Sequence, residues 1–399
     1  MPYNIVPPGK RSPAGHAGGR TLSPCTAPDL THGPEPLYRG RPVDFAARIA
    51  ARWQRDTVSG VDSAATPYHC DQHRLFPGYA DGSEHLRRNA LMNEYEGCLL
   101  DDIFAGSECH TAQGDCYAVR SSVPCSVGRP EMEALYHTLA GELCLICGIG
   151  PVTASQLRSR GYSTIESLRR HQRFGAQART LFALLETEDW DGLEQEVRSR
   201  FRPSHPHHLL FSLLCRTDEL LFFDIETMGL FSRPIILLAT GRIRRGEMQI
   251  TQYLLRDIGE EPAAISMVLE EMSDAGTALV TYNGRGFDLP YLRDRAAYYG
   301  MAPPPDPAHF DLLHPSRSRW KGECADCRLG TIERQALSIF RDDDLPGKDV
   351  PGYYAAYLRS QNPGPLVPIV DHNRQDVASL ARLYERLLEG YAEVCPSEG

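Results

Sequence analysis

The run Leu221-Phe-Phe-Asp224-Ile-Glu226-Thr-Met-Gly229-Leu230 constrains this chain more than any other stretch. Its apolar residues predict a buried strand. Residues two apart in a strand share a face, so Asp224 and Glu226 project together while Phe223 and Ile225 point the other way. Two neighbouring carboxylates in apolar surroundings repel each other and are costly to desolvate. A divalent cation held between them offsets both costs. The pair therefore directs attention to further acidic residues that a fold can bring alongside.

Two later segments supply them. Thr281-Tyr-Asn283-Gly284-Arg-Gly286-Phe-Asp288-Leu-Pro290 reads as a strand ending at Asn-Gly and a helix beginning near Pro290. Asp288 stands at the helix entry, by the C-terminal edge of the sheet, where sites of α/β folds gather. The same placement also suits a simple helix N-cap. Asp371-His372-Asn373-Arg-Gln-Asp376 opens a helix whose Val377, Leu380, Leu383, Tyr384, Leu387 and Leu388 form an apolar stripe. His372 and Asp376 are four apart and share a face. Asp376 is four before Leu380, on or beside that stripe, although a surface His–Asp pair at this spacing is common.

The chain of 399 residues has room for roughly two or three domains. Residues 1–42 are rich in Pro and Gly and predict a disordered lead. Residues 43–130 predict a small region with helices near 43–53 and 84–100 and a hairpin from Cys109 to Pro124, turning at Gln113-Gly-Asp115. Residues 131–204 are helical in pattern, 205–218 form a linker beginning His205-Pro-His-His208, and 392–399 form a tail. Between them, 219–391 show an α/β pattern with strands at 220–226, 234–243, 247–255, 277–282 and 309–313. The first three are joined by short connections and pair antiparallel; the last two follow helices and add in parallel. The expected architecture is α/β, a mixed five-stranded sheet flanked by helices, behind a mainly helical N-terminal region.

Asp-x-Glu on a first strand, Asp after a fourth strand, and His with Asp on a late helix together resemble the DEDD exonuclease superfamily on the ribonuclease H-like fold. The match is closest to its YprB-type ribonuclease H-like family. Phe310-Asp311-Leu-Leu-His314-Pro315, Trp320, Leu329-Gly-Thr-Ile-Glu333 and Asp344-Leu-Pro-Gly347 support it, over Leu220 to about Tyr391. The resemblance implies a metal-dependent nuclease acting on DNA or RNA in the 3′ to 5′ direction, with two Mg²⁺ or Mn²⁺ ions. It implies that Asp224 bridges both ions, that Glu226 and Asp376 complete the first, and that Asp288 holds the second. Such ions activate water and stabilise the charge developing on the attacked phosphate. His372 is then expected to orient or deprotonate the water, a task suited to a pKa near neutrality. In the histidine branch of the superfamily that residue stands five before the last Asp; His372 is four before Asp376, the slot of the tyrosine branch. The alternative is an inactive ribonuclease H-like protein that binds nucleic acid or serves as a scaffold.

Upstream, Leu145-Ile-Cys-Gly148-Ile-Gly150-Pro151 resembles a helix-hairpin-helix turn. Glycines at Gly148 and Gly150 let amides approach a phosphate, and Pro151 opens a helix whose positive end favours anions. Six Arg and one Glu lie between Pro151 and Phe182, Arg158 and Arg160 among them. This is the footprint of a phosphate-binding module within a chain of net charge −10. Asn283 is a further expected nucleic-acid contact. Cys144-x-x-Cys147 and Cys324-x-x-Cys327 have metal-ligand spacing, but core and loop roles fit them better. Asp342-Asp-Asp344 reads as a solvated turn. Residues Met1 to Pro13 lack the apolar core of a signal peptide and no run approaches a membrane span, so a cytoplasmic protein with reduced thiols is expected. Protein partners are not indicated.

Overall fold

The structure, a computed structural model, describes residues 82–202, 205–341 and 344–392. The expected lead over 1–42, the helix near 43–53 and all of the 392–399 tail but Ala392 lie outside the described residues, as do two residues of the 342–344 acidic turn. Among the described residues seven strands form one mixed sheet: β1 (Gly106–Thr111), β2 (Gly114–Pro124), β3 (Leu220–Thr227), β4 (Ile235–Arg244), β5 (Glu247–Leu254), β6 (Ala278–Thr281) and β7 (Ala308–Asp311). Their order is β1-β2-β5-β4-β3-β6-β7. The principal helices are α1 (Gly82–Glu94), α2 (Met132–Gly141), α3 (Pro151–Ser159), α4 (Gly175–Glu186), α5 (Trp190–Arg200), α6 (Glu261–Ser273), α7 (Asp288–Tyr298), α8 (Leu313–Trp320), α9 (Val350–Ser360) and α10 (Val367–Ala392).

The five expected strands are present, with β3, β4 and β5 antiparallel and β6 and β7 added in parallel. The count is corrected from five to seven, because the Cys109–Pro124 hairpin joins the same sheet. β2 pairs with β5 from Tyr117↔Leu254 to Pro124↔Glu247. Without it, β5 would present an unpaired row of backbone donors and acceptors.

β3 is central, and its alternation sorts the two layers. Phe222 packs into the core that also holds Val377, Leu380 and Tyr384 of α10. Leu221, Phe223 and Ile225 pack into the opposite core with α6, α7 and α9. Asp224 and Glu226 therefore lie on the α10 side. α10 comes close to the sheet because β4 offers Gly241: a Cβ there would stand 2.6 Å from Val377 Cγ1. The helical region packs into this same core through Leu135, Leu139, Leu181 and Leu193. The stretch expected as a linker carries a short helix, His207–Leu210, whose Leu209 and Leu210 are buried. No helix among the described residues is long and apolar enough to cross a membrane.

Candidate active site

The parallel pairing of β6 with β3 runs only from Leu220↔Ala278 to Phe222↔Val280. β3 continues beyond it, so Asp224 and Glu226 project near the C-terminal end of the strand, past its pairing with β6. Asp224 keeps some exposure although dense protein surrounds it. Its Oδ2 accepts a hydrogen bond from Asn373 Nδ2 at 2.7 Å. Asn373 is fully buried on α10, and its Oδ1 accepts from Gln252 Nε2 on β5 at 2.9 Å. A chain of side-chain amides thus fixes the first carboxylate from behind.

Asp288 is the first residue of α7 and is buried. Its Oδ1 accepts from the Ile225 amide of β3 at 3.2 Å, so it faces the strand rather than capping its own helix. The turn that delivers it is held by Asp311 at the end of β7. That carboxylate accepts from the amides of Asn283 at 2.8 Å, Arg285 at 3.0 Å and Leu313 at 3.1 Å. Asn283 is left-handed at φ 66°, a conformation asparagine tolerates better than most residues. Gly284 next to it has no room for a Cβ against the Thr281 side chain.

Asp376 and His372 reach the site from one face of α10. His372 Nδ1 donates to Asp344 Oδ1 at 2.7 Å. Its Nε2 lies 3.7 Å from Glu226 Oε1 and 3.8 Å from Asp376 Oδ2. Asp344 is therefore more than part of a solvated turn. Asp376 Oδ1 accepts from Arg341 Nη2 at 2.5 Å. Sequence reasoning missed Arg341, which stands beside the acidic run and has no periodic signal of its own.

The electrostatics follow from burial and crowding. Asp224 is pushed well above the usual carboxylate range, by burial first and then by the charges of Asp376, Asp288 and Glu226. Burial pushes Glu226 up to about 8 against the opposing pull of His372. It pushes Asp288 up to about 7 although backbone amides oppose it. Asp376 is raised by burial, with His372 and Arg341 resisting. His372 departs from the neutral value expected of it. Burial alone would lower its pKa, but the bond to Asp344 and the charges of Asp376 and Glu226 push it up to about 9.

The donors are all oxygens, which suits hard divalent cations such as Mg²⁺ or Mn²⁺. Four carboxylates stay raised together even though His372 and Arg341 stand beside them, so burial and mutual repulsion outweigh those two cations. Their ligand atoms are spread more widely than those of Glu108, His110 and Asp115, which all lie within 4.8 Å of one another. That exposed trio is explained by ion pairs, His110 with Asp115 and Glu108 with Arg256, each at 2.8 Å. The remaining expected contacts fall in two places. Asn283 belongs to the loop before Asp288. Gly148, at φ 82°, and Gly150 lie in the connection that opens α3, with Arg158 and Arg160 exposed at the other end of that helix.

Comparison with known proteins bears on the fold of this part of the chain. The RNase_H_2 model of the RNase_H superfamily matches residues 221–388. Strand order, helix placement and this match define a ribonuclease H-like domain over those residues. The chain is also 36% identical over 195 residues to the uncharacterized protein YprB of Bacillus subtilis (strain 168), covering 48% of this chain and 47% of that protein. It thus spans about half the length of the curated relative it matches. The solved structure of Brucella melitensis NrnC with bound Mg²⁺ aligns with 45% of this chain and 90% of that chain, at 16% identity and a TM-score of 0.20. That likeness is too slight to carry an argument.

Proposed function

We propose that this protein is a metal-dependent nuclease that hydrolyses phosphodiester bonds of DNA or RNA, a 3′–5′ exonuclease of the DEDD type. Asp224, Glu226, Asp288 and Asp376 would hold two Mg²⁺ or Mn²⁺ ions. The observation that carries this reading is the meeting of four carboxylates from three distant segments at one end of β3, all raised by burial. Folding tolerates such a cost when function requires it. When bound, the ions supply an activated water and stabilise charge on the phosphate and the leaving oxygen.

The chain's own residues do the rest. Asn373 holds Asp224, and the Ile225 amide holds Asp288, so neither carboxylate has to search for its place. Asp344 anchors His372 through Nδ1, which leaves Nε2, near Glu226 and Asp376, to orient the attacking water or take its proton. The helical region from 131 to 204 serves as the module that grips the nucleic-acid backbone, through the Gly148–Gly150 turn and exposed Arg158 and Arg160. Asn283, exposed on the loop before Asp288, contacts the strand near the cleaved bond.

End-labelled linear and circular DNA and RNA, each incubated with Mg²⁺ or Mn²⁺, test this. Stepwise shortening of linear strands from the 3′ end, with circles intact, is the expected result. Cleavage of circles would overturn the exonuclease assignment, and no hydrolysis of any substrate would overturn the nuclease.

A further inference from the structure

Arg341 is no member of the carboxylate set, yet it touches it. It follows a π-helical turn, Glu333–Leu337, that continues the short helix Leu329–Ile332. Such turns occur often at functional sites. Its Nη2 donates both to Asp376 Oδ1 and to Glu333 Oε1. Glu333 is 1% exposed, and a carboxylate so deeply buried is held only where a cation accompanies it. Both partners have spare capacity. Glu333 Oε2 and Arg341 Nε are buried and without a hydrogen-bond partner among the described residues. A guanidinium and a carboxylate already joined by one bond, each with an unused buried group, are one bond short of a two-bond fork.

We propose that Arg341 is a built-in competitor for Asp376: it holds that carboxylate until a divalent ion takes it, then withdraws onto Glu333. The inference rests on the reading of the four carboxylates as a metal site. Both of the site's cations have an anion outside the carboxylate set: His372 has Asp344 at 2.7 Å, and Arg341 has Glu333 and, at 3.5 Å, the same Asp344. Each can leave the carboxylate set without being stranded. Arg341 is thus a positioning residue, acting through Asp376, and it sets the ion concentration at which the site fills.

Mn²⁺ binding to the full chain, followed by electron paramagnetic resonance of the free ion, tests the proposal. The proteins compared are wild type, Arg341→Gln and the double variant Arg341→Gln/Glu333→Gln. Both variants are expected to bind Mn²⁺ about tenfold more tightly than wild type, the scale of one competing hydrogen-bonded ion pair. The double variant is decisive. It removes one positive and one negative charge together, so it leaves no stranded buried carboxylate and no change in net charge. It also stands in if the single variant does not fold. Tightening in the single variant that disappears in the double would show a field effect without competition and overturn the proposal, as would unchanged or weaker binding in both. Failure of wild type and variants alike to bind Mn²⁺ would overturn the metal-site reading and the proposal with it.

Discussion

Asp224 carries two opposed demands. Its charge is raised in energy by burial and by three neighbouring carboxylates, while the hydrogen bond from Asn373 favours the charged form. The folded protein binds protons here that the unfolded chain has released, since Glu226 is pushed up to about 8 and Asp288 to about 7. A raised carboxylate pKa gives stability that is present below the unfolded value and lost as pH rises through the folded one. The ion-free protein is therefore expected to lose stability between about pH 4 and pH 8. Asp224→Asn should flatten that fall and raise the melting temperature at pH 8 in chelator, measured by thermal denaturation; an unchanged or lower value would contradict the account. Asn373→Ala removes the donor but spares the carboxylate, and should slow single-turnover hydrolysis about 10–100-fold, the usual effect of losing a supporting hydrogen bond. The four carboxylates and His372 were legible because each sits in a segment with its own local pattern: alternation around Asp224, a turn before Asp288, helical spacing around Asp376. Arg341 was not. Its partners Glu333 and Asp376 are fixed by an irregular turn and a distant helix, and no period in the chain announces that meeting.

Among the elements, α10 and β4 decide whether the site assembles. α10 delivers His372, Asn373 and Asp376, and it can do so only because Gly241 lets Val377 approach the sheet. Gly241→Ala would place a methyl group against Val377 and Met248. Overpacking of this kind costs about 1–3 kcal/mol, and urea unfolding should show a loss of that order. Hydrolysis should fall as well, because the same shift moves Asp376 away from Asp224. The amphipathic stripe of α10 was evident from its spacing. The glycine that admits it was not, since a glycine inside a strand pattern looks locally like a weakness. The same limit applies to the hairpin: β1 and β2 were recognisable as a pair, but the pairing of β2 with β5 joins segments far apart in sequence.

Over the whole molecule, the described helical region and the ribonuclease H-like domain share one core. Leu135, Leu139 and Leu193 pack into the cluster that contains Leu383 and Leu387 of α10, and Ser212 Oγ lies 2.8 Å from Tyr384 Oη. A linker at 205–218 is what the sequence suggests, because a stretch opening His-Pro-His-His looks the same whether it is free or packed. Burial of Leu209, Leu210 and Phe211 distinguishes the two. The central claim is that the carboxylate set at the end of β3 is a metal-dependent hydrolytic centre. It is tested most directly by hydrolysis of end-labelled DNA and RNA with Mg²⁺, with Mn²⁺ and with chelator, comparing wild type and Asp224→Asn. Hydrolysis by wild type is expected only when a divalent ion is present, and none above background by Asp224→Asn. Equal hydrolysis by both proteins, or activity that persists in chelator, would contradict it.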